Sequence, residues 1–124
     1  MAYVDGFIVP LPRKNVDAYR DMSTKSGAIW LEHGALTYQE NIADDVKPGK
    51  LTSFPQSVLL EEDELVVFSW ITYHSRAHRD QVNEKVMADP RLKEMMDPAR
   101  LPFDGKRMIY GGFEVLLTLS GSQK

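Results

Sequence analysis

Nine consecutive residues, Leu65 to Tyr73 (LVVFSWITY), constrain this chain more than any other stretch. They carry no charge, and β-branched and aromatic residues dominate. The run is too short to span a bilayer and lacks helical spacing. It reads as a strand apolar on both faces, which belongs in the middle of a sheet.

The other elements are arranged around this strand. Ala2 to Val9 holds Tyr3, Val4, Phe7, Ile8 and Val9, and predicts a strand that Pro10 and Pro12 end. Asn15 suits a helix N-cap, with Asp17 in the first turn. Val16, Tyr19, Met22, Ser26, Ile29, Trp30 and His33 then recur at helical spacing, and Gly34 stops the helix. Ala35 to Ala43 predicts a second strand with Leu36, Tyr38 and Glu40 on one face. Asp44 to Asp63 contains Pro48-Gly49 and Pro55 and reads as a long connection with a helical turn near Ser57 to Leu60. Ser75 caps a second helix with a stripe of His78, Val82 and Val86. Asp89-Pro90 breaks it and restarts a short helix carrying Leu92, Met95 and Met96. The Asp104-Gly105 turn launches a last strand over Lys106 to Leu119.

The order β-α-β-β-α-β predicts an α+β protein of ferredoxin-like βαββαβ type: a four-stranded antiparallel sheet with helices on one face. One domain over residues 1–119 and a flexible tail over 120–124 are expected. The second face of the sheet would present either Phe68 and Trp70 or Val67 and Ile71. An apolar face of that kind needs a cover. A second copy supplies it most simply, so a homodimer is expected, forming a barrel across two chains.

Composition excludes several functions. The net charge is −3, and the most basic stretch, Arg76 to Arg107, sets eight Lys/Arg against six Asp/Glu. Neither nucleic acid nor an anionic membrane is therefore an expected partner. The absence of cysteine removes disulfides, thiolate metal sites and cysteine nucleophiles. MAYVDGFIVP has no basic leader, and no run is long enough to cross a bilayer, so a cytoplasmic location is expected. KRMIYGGFEV echoes an RNA-recognition signature, but on the fourth strand instead of the third and without a basic surface.

YVDGF near the start, VVFSWI in the central strand, RD with KVMADPR in the second helix, and PFDGKRMIYGGFE at the end together resemble the YbaA-like proteins, a small bacterial family carrying a domain of unknown function. The resemblance spans about Ala2 to Glu114. It implies the dimeric α+β barrel fold, shared with antibiotic-biosynthesis monooxygenases and related small enzymes and binding proteins. It implies no reaction and no catalytic residues. The chain departs from the family pattern at Leu65, where a smaller polar residue is expected, and in continuing past Glu114 as Val-Leu-Leu-Thr-Leu.

Alternation places Tyr3, Asp5 and Phe7 on one face of the first strand, and Met108, Tyr110, Gly112 and Glu114 on one face of the last. These strands are neighbours in this topology. Asp5 and Glu114, with Tyr110 and His33, are thus candidates for proton transfer in a cofactor-independent enzyme of monooxygenase or isomerase type. The plainer expectation is that each carboxylate is hydrogen-bonded or paired with a cation. Tyr3, Phe7, Phe68, Trp70 and Tyr110 are candidates to line a cavity for a small apolar or aromatic ligand, and equally serve as core or dimer contacts. Gly111 and Gly112 predict a bulge, a close packing contact, or a backbone open to a ligand. His74 and His78 have a helical ligand spacing, but His74 precedes the helix and no third ligand is evident. Glu61 to Glu64 reads as a solvated acidic turn. No metal and no cofactor is expected.

Overall fold

The computed structural model describes residues 1–122. Gln123 and Lys124, the end of the expected tail, lie outside the described residues. The chain forms β1 (Tyr3–Pro12), α1 (Val16–Glu32), β2 (Thr37–Ile42), α2 (Phe54–Ser57), β3 (Glu64–Tyr73), α3 (Arg76–Met87), α4 (Pro90–Met95) and β4 (Ile109–Glu114). All strand pairs are antiparallel, in the order β2-β3-β1-β4. This is the expected ferredoxin-like α+β arrangement, and LVVFSWITY is one of its two central strands.

Register decides what each face carries. Tyr3 pairs with Tyr73 and Pro12 with Glu64 in one unbroken ladder. Tyr3, Val9, Leu11, Val67, Ile71 and Tyr73 are buried. They form two core clusters with Ile29, Val82, Val86 and Leu92, and with Tyr19 and Phe103. The opposite face carries Val4, Gly6 and Ile8 beside Phe68, Trp70 and Thr72. Phe68 and Trp70, not Val67 and Ile71, therefore make the uncovered side.

Several boundaries differ from expectation. β1 runs through Pro10 and Pro12 instead of ending before them. Its pairing with β4 stops at Ile8–Ile109. The Arg13 N–H donates to the Asp63 carbonyl on the β3 side at 2.9 Å, so the nitrogens of Pro10 and Pro12 face the side where β4 is absent. No ladder bond is lost there. β4 covers only Ile109–Glu114, not Lys106 to Leu119, because its partner begins at Tyr3; the last rung is Val115 N–H to Ala2 O at 2.9 Å. Asn15 gives no side-chain cap and instead donates through Nδ2 to Pro102 O at 2.8 Å. The helical turn of the long connection sits at Phe54–Ser57, earlier than expected, where the Ser53 side chain caps Gln56 N–H. Ser75 and Asp89 cap α3 and α4 as their sequences predict.

Glu64 corrects the expectation of a solvated acidic turn. It is buried, and Arg107 grips it with two hydrogen bonds, Nη1–Oε1 at 2.8 Å and Nη2–Oε2 at 2.6 Å. Arg107 also donates to the carbonyls of Val58 and Leu59 at 3.3 and 3.1 Å, and to Asp104 Oδ2 at 3.0 Å. One guanidinium thus joins the end of the long connection to the turn before β4.

Candidate functional site in the cleft between α1 and β2

β2 is an edge strand, and α1 crosses above it. Between them lies a cleft of about 500 Å³ whose apolar walls include Leu11, Val16, Leu31, Ile42 and Val67. Behind it, a smaller chamber of about 90 Å³ reaches under α1 toward Phe7, Trp30, Phe103 and Met108. Tyr19, Ser23, Tyr38 and Glu40 line both spaces and form the partition between them.

The partition is a hydrogen-bonded unit. The Tyr19 hydroxyl donates to Glu40 Oε1 at 2.7 Å, and the Tyr38 hydroxyl donates to Oε2 at 2.9 Å. Burial, and then the negative charge of Glu40, push both phenol pKa values upward, so both remain donors throughout the physiological range. Ser26 Oγ lies 3.3 Å from the Tyr38 hydroxyl. Ser23 is 6 % exposed, and its hydroxyl is enclosed beside the Tyr19 and Tyr38 phenols, where it works against the rise in their pKa values.

Local sequence explains the geometry. Alternation along β2 sends Tyr38, Glu40 and Ile42 toward α1. Gly27, in the middle of that helix, lets the Tyr38 ring lie against the backbone: a Cβ there would stand 2.7 Å from Tyr38 Cδ1. Gly27→Ala is expected to destabilise the protein by about 1–3 kcal/mol through overpacking. This outweighs the roughly 1 kcal/mol that alanine offers a helix. Thermal melts check the sign, and loss of the Tyr38–Glu40 contact is readable from the tyrosine ring resonances.

A second polar group lies under the sheet's other end. Asp5 is buried and accepts from Arg79 Nη1 at 2.6 Å. Burial raises the Asp5 pKa, and the Arg79 charge opposes that shift without cancelling it. The guanidinium also lies 4.8 Å from the Tyr3 ring centroid. Gly112 makes room for this stack, since a Cβ there would meet the Tyr3 ring and Arg79. The β4 ladder passes through Gly111 and Gly112 in register, so neither marks a bulge, and only Gly112 marks close packing.

The sequence-derived candidates are thus dispersed. Asp5 is engaged by Arg79. Glu114 is exposed, opposite Tyr3. Tyr110 is exposed and stacks on Phe7 with centroids 6.1 Å apart. His33 Nε2 lies 2.9 Å from Asp89 Oδ2, tying the end of α1 to the start of α4. None of Asp5, Glu114, Tyr110 and His33 lines the cleft or the chamber. Phe7 and Trp70 reach the chamber. Phe68, Trp70, Tyr110 and Gly111 border a groove of about 410 Å³ on the uncovered face. Glu32, His33 and Asp89 cluster closely enough to hold an ion, but Arg91 already supplies the positive charge by bonding both Glu32 and Asp89. His78 Nδ1 accepts from the His74 backbone N–H at 2.9 Å, and the two rings stack with centroids 5.1 Å apart. Among the described residues no helix is long and apolar enough to cross a membrane.

The partition residues escaped the sequence reading. The signal was Glu40: a carboxylate on the face of β2 shared with Tyr38 and, by helix periodicity, opposed by the Tyr19–Ser23–Ser26 side of α1.

Comparison with known proteins agrees with this architecture. The model of the family described as "Protein of unknown function (DUF1428)" matches residues 2–105. The chain belongs to that family. It is 52% identical over 117 residues to "Uncharacterized protein YbaA" of Escherichia coli strain K12, covering 94% of this chain and 98% of that protein. The Shigella flexneri protein of the same name matches equally. The crystal structure of an uncharacterized NIPSNAP domain protein from Burkholderia xenovorans superposes with a TM-score of 0.56 over 96% of this chain and 99% of that one. At 13% identity that likeness concerns the fold alone. No reaction comes with any of these relatives' names.

Proposed function

We propose that this DUF1428 protein is a homodimer whose protomers each bind a small, mainly apolar or aromatic molecule in the α1–β2 cleft. The observation that carries the binding reading is the Tyr19–Glu40–Tyr38 hydrogen-bonded unit on the wall of a largely apolar cleft. A volume of about 500 Å³ falls in the range of ligand pockets. We place the ligand there, and not among Asp5, Glu114, Tyr110 and His33, because the polar groups of the cleft converge on one space. In this reading residues 1–119 are one cytoplasmic domain that acts without a cofactor.

The dimer half rests on the uncovered sheet face. Val4, Ile8, Phe68, Trp70, Ile109 and Phe113 form an apolar patch on it, and the neighbouring Thr37, Gln39, Asn41 and Thr72 are uncharged. A patch of apolar and uncharged side chains is self-complementary under a two-fold axis, so a second copy is the natural occupant.

A thermal-melt screen of small aromatic and aliphatic compounds tests the binding reading. A ligand at a hundred times its Kd stabilises by about 2.7 kcal/mol, which raises Tm by roughly 10 °C in a domain of this size. The hit should shift NMR resonances of Tyr19, Ser23 and Tyr38. A screen that moves nothing, or a hit that perturbs only Asp5 and Glu114, defeats this assignment. A second reading, a cofactor-independent enzyme on a small organic substrate, is favoured by one feature: Glu40 is a carboxylate held by two phenols beside a cavity, which suits a general base. Turnover by the wild type that Glu40→Gln abolishes would establish it.

A further inference from the structure

A carboxylate taken out of water needs a counter-charge, and this chain mostly supplies one. Among the described residues, four acidic side chains are not exposed: Asp5, Glu40, Glu64 and Asp89. Asp5 has Arg79, Glu64 has Arg107, and Asp89 has Arg91 and His33. No Lys, Arg or His among the described residues pairs with Glu40. Its partners are the Tyr19 and Tyr38 hydroxyls, at 2.7 and 2.9 Å. These donate protons but bring no positive charge, and each carboxylate oxygen keeps a lone pair for a further donor. The negative charge acts on its surroundings, since it helps to push both phenols upward. Arg20 lines the same cleft, yet it is exposed and makes no ion pair with Glu40. The wall of the cleft thus holds a half-buried negative charge that the fold answers with neutral donors alone.

We propose that the cleft takes hydrophobic amines, molecules with a protonated amino group on an aliphatic or aromatic body. The ammonium donates to Glu40, and the body lies along Leu11, Val16, Leu31 and Ile42. This rests on the proposal that the cleft binds a ligand, and narrows it to a chemical class. An alcohol of the same shape offers a hydrogen bond but leaves Glu40 without a counter-charge. A hydrogen bond between two ionised partners is roughly twice as strong as a neutral one. A carboxylic acid is the poorest fit, because two like charges would meet on one apolar wall.

The test compares three probes built on one body: 3-phenylpropylamine, 3-phenylpropanol and 3-phenylpropanoate. Each is titrated by NMR at neutral pH into wild type and Glu40→Gln, which keeps the shape of the side chain and removes its charge. The amine is expected to bind wild type about tenfold more tightly than the alcohol, a difference of about 1.4 kcal/mol, with the acid weakest. It should shift the resonances of Tyr19, Tyr38 and Glu40. Glu40→Gln is expected to lose most of the preference for the amine while keeping its affinity for the alcohol. Equal binding of amine and alcohol to wild type overturns charge selection and leaves the cleft as a general apolar site. Tightest binding by the acid also overturns it, and makes Arg20 the charge that reads the ligand. Failure of all three probes to bind overturns the cleft reading and this inference with it. An amine preference that survives intact in Glu40→Gln, or an amine that shifts only residues outside the cleft, overturns the role of Glu40. The wild-type titrations and their shift map decide the matter even if the variant does not fold.

Discussion

Arg107→Met is expected to cost about 3–5 kcal/mol of folding stability, the penalty typical of stripping the partner from a buried charge pair. Glu64 is 4 % exposed, and Arg107 is its bidentate partner. Methionine replaces the aliphatic stem but leaves the carboxylate buried and unpaired. It also frees the carbonyls of Val58 and Leu59. Leu59 has a φ of 50°, a left-handed backbone uncommon for a side-chain-bearing residue. Arg107 helps hold it there. Urea denaturation should therefore show a lower midpoint with little change in slope.

The pH dependence gives a second check on the same pair. The Arg107 hydrogen bonds hold the Glu64 carboxyl below its usual value of 4.5. The folded state thus binds that proton more weakly than the unfolded state, so the pair stabilises at neutral pH. Its contribution fades as pH falls below 4.5 and through the folded-state pKa. The stability gap between wild type and Arg107→Met should be widest near neutrality and narrow in acid. Asp5 acts in the opposite sense, because burial raises its pKa: its charge costs stability at neutral pH, and acid relieves that cost. A gap that stays constant down to acid pH, or a variant as stable as wild type, would remove the Glu64 pair from the account.

The second large effect concerns assembly. Phe113→Glu should convert the protein from two chains to one, with the dimer dissociation constant rising at least about a hundredfold, as expected of an aromatic anchor at an interface. Phe113 is 62 % exposed in the single chain and lies over Gly6 and Gly111, so its replacement removes little from the protomer's own core. Light scattering at low micromolar concentration reads the mass, and a far-ultraviolet spectrum verifies the fold. A wild-type protein that runs as a monomer under these conditions contradicts the dimer proposal outright. Intact dimers in Phe113→Glu would move the interface elsewhere.

The sequence made the topology readable because the signals were local. LVVFSWITY could only be central, and Ser75 and Asp89 capped their helices as such residues do. It misjudged ends that depend on a partner's length. Pro10 and Pro12 looked like strand breakers, and only the early end of the β4 ladder makes them harmless. Leu116 to Leu119 looked like strand, and only the start of β1 at Tyr3 leaves them without a neighbour. The site was harder still. Asp5 advertised itself as an acid among apolar neighbours, yet its cation, Arg79, is 74 residues away. Ser23 looked like an ordinary helix serine. What sets it apart is its burial beside two phenols, and no sequence pattern reports that. Tyr19 and Glu40 meet through the packing of α1 over β2, a distance no spacing rule encodes.

The two prolines at the end of the first strand also bear on how this molecule avoids sticking to others. A strand that outruns its neighbour leaves a bare margin, and bare margins recruit foreign chains into fibrils. Pro12 turns a nitrogen without a hydrogen toward that margin, and Pro10 is itself fully buried, so an approaching peptide meets no donor at either position. The overhang is thereby sterile as a template for a foreign strand.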